Sequence, residues 1–152
     1  MGLDAVSSSS LHSRPICLTK LPMIEGGCLC GLVRYRLKVP PTHLGDCHCL
    51  DCRRASGAPY VTWGSVARED LEILSGEVRT IHFADRIRSF AGCCGTPLFF
   101  DDGSAENPID VTIASLDDPA PFAPELAIWT EDRLPWVNLP PHQRSFPQDD
   151  GS

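Results

Sequence analysis

The chain has 152 residues, room for one domain, and 13 basic against 20 acidic side chains give a formal charge of −7. That charge excludes a general nucleic-acid or anionic-membrane binder, which needs a positive field. No stretch approaches the ~18 consecutive apolar residues of a membrane span, and 12 glycines and 14 prolines favour short strands and turns over long helices.

Residues 1–22, MGLDAVSSSSLHSRPICLTKLP, hold five serines, two prolines and no apolar run of the ~7–15 residues that an export signal needs. They read as a flexible extension with one isolated thiol, Cys17. Arg14 and Lys20 are too few cations for a basic presequence, and Met23, where patterned sequence begins, is a second candidate start. Without this segment, 11 basic and 19 acidic residues leave the domain at −8. The expected compartment is the cytoplasm, where thiols stay reduced and clustered thiols indicate metal.

From residue 32 to 39, Val33, Tyr35, Leu37 and Val39 alternate with Arg34, Arg36 and Lys38, the period of a half-buried antiparallel strand that Pro40-Pro41 stops. Residues 50–56 suit one or two helical turns ended by Gly57. Residues 60–63, 71–74 and 78–83 read as strands, with Gly76 turning between the last two. Residues 97–100 form a short buried strand, and Ile109, Val111 and Ile113 alternate in another. Nine of the 14 prolines follow residue 96, which makes the last third loops and edge strands. No amphipathic helix of ~12 residues is visible. The expected domain is mainly β over residues 23–147, with residues 148–152 frayed.

The cysteines of that domain fall into three groups: Cys28 and Cys30; Cys47, Cys49 and Cys52; Cys93 and Cys94. Intracellular zinc sites use thiolate pairs at such close spacings so that both sulfurs reach one ion. Gly31 and Gly95, each directly after a cysteine, let the backbone turn tightly around the sulfurs. A shared ion would join segments about 64 residues apart and turn metal-binding energy into folding energy. The middle group, CHCLDC, offers three thiolates, which leaves a tetrahedral zinc one open position, the mark of a reactive site. The alternative is a closed site completed by His48, although a residue between two adjacent ligands tends to point away from the ion. Arg53 and Arg54 either offset the negative charge of three thiolates and grip a substrate carboxylate, or lie solvated at the surface.

GGCLCGLVRY, CHCLDCRRASGAPY with Trp63, CGTPLFF, SLDDP and RLPW, in this order, resemble the glutathione-dependent formaldehyde-activating enzymes, S-(hydroxymethyl)glutathione synthase-like proteins, from residue 23 to about 147. The resemblance implies a β-tent fold of short antiparallel sheets stapled by zinc, with two ions per subunit. Cys28, Cys30 and Cys94 match the family's structural site; Cys47, Cys49 and Cys52 match its catalytic site. Two positions depart from the family. Ala91 stands where its F-C-x-x-C-G pattern has the first cysteine, so either Cys93 becomes the fourth structural ligand or the site has three thiolates. Ala127 stands where many relatives have histidine before RLPW.

The expected activity is that of a zinc-dependent carbon–sulfur lyase or synthase acting on an adduct of glutathione or a related thiol. Cys47, Cys49 and Cys52 hold the ion, Arg53 or Arg54 a carboxylate, and Trp63 or Tyr60 a pocket wall, with Trp63 alternatively a core residue. His48 and Asp51 are the nearest acid–base groups. One alternative is a non-catalytic zinc-bound β-tent module, since fold does not fix function. Another is a redox enzyme of the methionine-sulfoxide-reductase type, for which Cys93 would have to be free of metal.

Overall fold

The computed structural model describes residues 23–151; the expected extension with Cys17, and Ser152, lie outside them. Among the described residues the order of elements is β1 (Ile24–Gly27), β2 (Arg34–Leu37), β3 (Thr42–Cys47), α1 (Leu50–Ser56), β4 (Val61–Val66), β5 (Leu71–Ser75), β6 (Val78–Phe83), β7 (Arg86–Ala91), β8 (Pro97–Asp101), β9 (Ile109–Thr112), β10 (Leu126–Ile128) and β11 (Arg144–Ser145). Among the described residues no helix is long and apolar enough to cross a membrane.

The fold is mainly β, in two sheets. A three-stranded sheet runs β1-β2-β5, and an eight-stranded sheet runs β11-β10-β3-β4-β9-β8-β7-β6. Pairing is antiparallel except at one end, where β10 lies parallel to both β3 and β11. Parallel neighbours need a long connection: residues 48–125 lie between β3 and β10, and residues 129–143 between β10 and β11.

The core lies between the sheets. Val33, Tyr35 and Leu37 present the alternating face read from the sequence to Leu98, Phe99, Val111 and Ile113. Tyr35 meets the Phe99 ring edge-on at 5.1 Å and shares a 2.6 Å hydrogen bond with the Ser115 hydroxyl. Burial pushes the Tyr35 phenol up to about 12, so it stays neutral and its polar tip satisfied. The strand is shorter than expected because the Lys38 N–H leaves the ladder for the Asp70 carbonyl, which leaves Val39 exposed.

β1 is invisible to propensity because it ends in Gly26-Gly27. A side chain at Gly26 would sit 2.5 Å from the Tyr35 ring and 2.6 Å from the Ser115 carbonyl. Glycine is there for close approach. β7, RIRSFA, escaped notice because arginines occupy its alternate positions.

Candidate functional site

Cys28 and Cys30 lie on the β1–β2 connection, Cys93 and Cys94 on the β7–β8 connection, and all four sulfurs lie within 4.8 Å of one another. Cys93 Sγ is 3.2 Å from Cys30 Sγ and 3.7 Å from Cys28 Sγ. Of the two alternatives for this group, the structure therefore has Cys93 among the convergent thiols. It is not a thiol set apart from them.

Each connection is a tight turn closed by its glycine. The Gly31 N–H donates to the Cys28 carbonyl at 3.0 Å with φ +79°, and the Gly95 N–H donates to the Ala91 carbonyl at 2.8 Å with φ +74°. Ala91, at the family's cysteine position, is fully buried in the core. The sulfur is supplied two residues later, where the turn reaches the cluster. The Thr96 hydroxyl, with the Cys30 and Thr96 backbone N–H groups, pulls the Cys94 thiol down to about 6.

The second group forms where β3 hands over to α1. Cys47 ends the strand, and the His48 N–H extends the parallel pairing to the Ile128 carbonyl at 3.0 Å. The Cys49 sulfur then caps the helix by accepting the Cys52 N–H at 3.3 Å. Gly57, in the left-handed region at φ +70°, ends the helix with its N–H on the Arg53 carbonyl at 2.8 Å. The helix bounds match the sequence expectation residue for residue.

The Cys47, Cys49 and Cys52 sulfurs lie within 4.8 Å of one another. Charge concentrates on Cys52: hydrogen bonds from the Cys47 and Cys49 thiols, and then Arg88, hold its thiol well below the usual range. Conversely, its contacts with Cys49 and Cys52 push Cys47 far up. Three crowded sulfurs oppose one another's ionisation, and a dication would let all three ionise. Either group is able to hold a metal ion.

His48 is not among the convergent atoms. Its ring is buried, tilted against Tyr60 at 5.0 Å, and neither ring nitrogen has a hydrogen-bond partner among the described residues. Burial holds its pKa below the usual value.

The three thiols line a cleft of about 710 Å³ together with Trp63, Phe100 and Trp129. Trp63 packs on Cys47 and Cys52 and also walls the cleft. The cation beside the sulfurs is Arg88 from β7. Its guanidinium lies 3.7 Å from Cys52 Sγ and 5.1 Å over the Phe100 ring.

Arg53 donates to the Asp132 carbonyl, Arg54 is exposed, and neither lines the cleft. Arg86 lines it, paired with Asp51. Asp102, Asp110, Asp132, Asp149 and Asp150 also border it. In the segment expected to fray, Asp149 and Asp150 line this cleft, and the Gln148 carbonyl accepts the Trp129 N–H at 2.9 Å.

Arg88, Phe100 and Trp129 were not picked out by sequence reasoning. Period-2 spacing of Arg86, Arg88 and Phe90 was a usable signal for one face of β7. Nothing local marks Trp129, held at φ +55° beside the cluster. Ala127 is fully buried, and its neighbours Leu126 and Ile128 line the cleft instead.

The chain matches the family described as glutathione-dependent formaldehyde-activating enzyme over residues 23–132. A curated Halomonas elongata protein named for the same family is 24% identical over 127 residues, covering 77% of this chain and 81% of that protein. The crystal structure of a Rhodobacter sphaeroides protein, 23% identical, superposes with a TM-score of 0.52 over 61% of this chain and 87% of that one, a likeness of fold.

Proposed function

The chain belongs to the glutathione-dependent formaldehyde-activating enzyme family, and from that premise we propose that it is a zinc-dependent carbon–sulfur lyase or synthase. It acts on the hemithioacetal of a thiol and an aldehyde, with S-(hydroxymethyl)glutathione the form that the family description suggests. The observation that carries this reading is the convergence of Cys47, Cys49 and Cys52 in a large cleft, with no fourth ligand converging on them among the described residues. A cytoplasmic setting suits the seven cysteines of the described residues, which form no disulfide with one another.

Both sulfur groups suit zinc by donor chemistry. Cys28, Cys30, Cys93 and Cys94 would hold a structural ion, and Cys47, Cys49 and Cys52 a catalytic one. Bound there, zinc supplies thiol acidification or carbonyl polarisation. Around it, Arg88 offsets the negative charge of the thiolates, and Trp63, Phe100 and Trp129 exclude water. The carboxylate-binding role expected of Arg53 and Arg54 passes to Arg86 and Arg88, the arginines that line the cleft. Of the two acid–base candidates, Asp51, paired with Arg86, lines the cleft and His48 does not, which favours Asp51 as the group that exchanges a proton with the adduct.

Metal analysis and thiol titration test the reading together. Two zinc ions per chain, falling to one in Cys49→Ser, and heat on titration with millimolar glutathione or cysteamine are expected. Acceleration of hemithioacetal exchange by the zinc-loaded protein would then exclude the non-catalytic binding module. Zinc at the four-thiol group alone, or no response to either thiol, would overturn the reading.

A further inference from the structure

A second cavity, of about 400 Å³, shares Cys52, Trp63 and Arg88 with the cleft. Strand periodicity explains the sharing. On β7, Arg86 lines the cleft, Phe90 the second cavity, and Arg88 between them lines both. On β4, Ser65, Val61 and Trp63 repeat that arrangement. Residues two apart share a face, so the two cavities lie end to end on one face of the eight-stranded sheet and meet at Cys52, Trp63 and Arg88.

The two ends differ in chemistry. The cleft is edged by carboxylates and Arg86, whereas the second cavity is a groove walled by Ala55 of α1, Ile81 and Phe83 of β6, Phe90 and Pro97. Ile81 and Phe83 are 58% and 66% exposed, large apolar side chains turned to solvent in the cavity that Cys52 also lines.

We propose that this groove receives an apolar substituent on the carbonyl carbon of the adduct, so that the preferred aldehyde is alkyl or arylalkyl rather than formaldehyde. The proposal rests on the carbon–sulfur reading above. Formaldehyde carries only hydrogens on that carbon and would leave the groove empty. The charged ends of glutathione would lose hydration there with almost nothing polar to replace it, and they suit the cleft. In the reaction R′–SH + RCHO → R′–S–CH(OH)R, a carbon–sulfur bond forms and the carbonyl π pair moves to oxygen. Oxygen takes the proton released by the thiol, with no oxidant or reductant.

The test compares phenylacetaldehyde with formaldehyde as carbonyl partner of the zinc-loaded protein, using glutathione and cysteamine in turn as thiol. At least ~10-fold higher kcat/KM for phenylacetaldehyde is expected, the scale of filling an apolar pocket. Ala55→Trp, at an exposed helix position, should reduce that ratio to about one by plugging the groove. Ile81→Asp, on the exposed face of an edge strand, is the second variant should the first disturb α1. Independently of turnover, the ¹⁹F signal of 2-(4-fluorophenyl)ethanol should broaden with the protein and stay sharp with either variant. Formaldehyde preferred or equal would overturn the groove assignment while sparing the lyase reading. No turnover with either aldehyde would sink the lyase reading and the aldehyde assignment with it, while a sharp ¹⁹F signal with the unmodified protein would sink the groove itself.

Discussion

Arg88 illustrates why neighbours in sequence are poor guides to charge at a site. Arg53 and Arg54 directly follow a cysteine of the cluster, yet the guanidinium beside Cys52 comes from 36 residues away. A seven-residue helix turns successive side chains about its axis, so the residue after a ligand points elsewhere, while an antiparallel strand can aim every second side chain at one spot. Asp110 is a second case at this scale. It borders the cleft, accepts the Ser65 hydroxyl at 2.6 Å, and burial raises its pKa above 3.8. A carboxyl with a raised folded pKa contributes stability at low pH that is lost as pH rises through that value. Asp110→Asn, which still accepts the Ser65 bond, should therefore raise the melting temperature at pH 7. The gain should vanish as pH falls below the unfolded carboxyl value. Equal melting temperatures at pH 7 would contradict this.

At the level of elements, two glycines do different work, and substitution separates them. Gly57 ends α1 at φ +70° with open space where a side chain would go, so Gly57→Ala should cost only the left-handed penalty, about 1 kcal/mol. Gly26 has ordinary dihedrals, but an added Cβ would collide with the Tyr35 ring and the Ser115 carbonyl. Gly26→Ala should cost ~3 kcal/mol or more, because the obstruction includes backbone between two sheets. Urea unfolding of both variants checks the contrast, and an equal loss would refute it. The helix and the buried face of β2 were legible because capping and alternation are local signals. β1, β3, β7, β10 and β11 were not, because glycines, arginines, polar residues or mere brevity hide their period and pairing partners alone define them.

For the molecule as a whole, the two thiol groups stand in different relations to the fold. Cys28 and Cys30 hang from the three-stranded sheet, Cys93 and Cys94 from the eight-stranded one, so a metal there ties the sheets across 65 residues of chain. The other three thiols lie within six consecutive residues and close almost no loop. Loop-closure entropy growing as (3/2)RT ln n makes the first ion worth roughly 2 kcal/mol more to stability than the second. Cys93→Ser should accordingly lower the unfolding free energy of the zinc-loaded protein by about that much more than Cys49→Ser. If Cys49→Ser proves the more destabilising, the division into a structural and an open group fails.

Composition, cysteine spacing and the Val33-Tyr35-Leu37 alternation determined by themselves that this is a small β domain with two places for metal. Each of those signals is carried by residues a few positions apart, within reach of local geometry. Tertiary structure alone decided that Cys93 joins Cys28 and Cys30, that Arg88 and Trp129 attend the three-thiol group, and that an apolar groove adjoins it. Those are contacts between segments far apart in the chain, and the register of strand pairing, which no short window of sequence contains, brings them together.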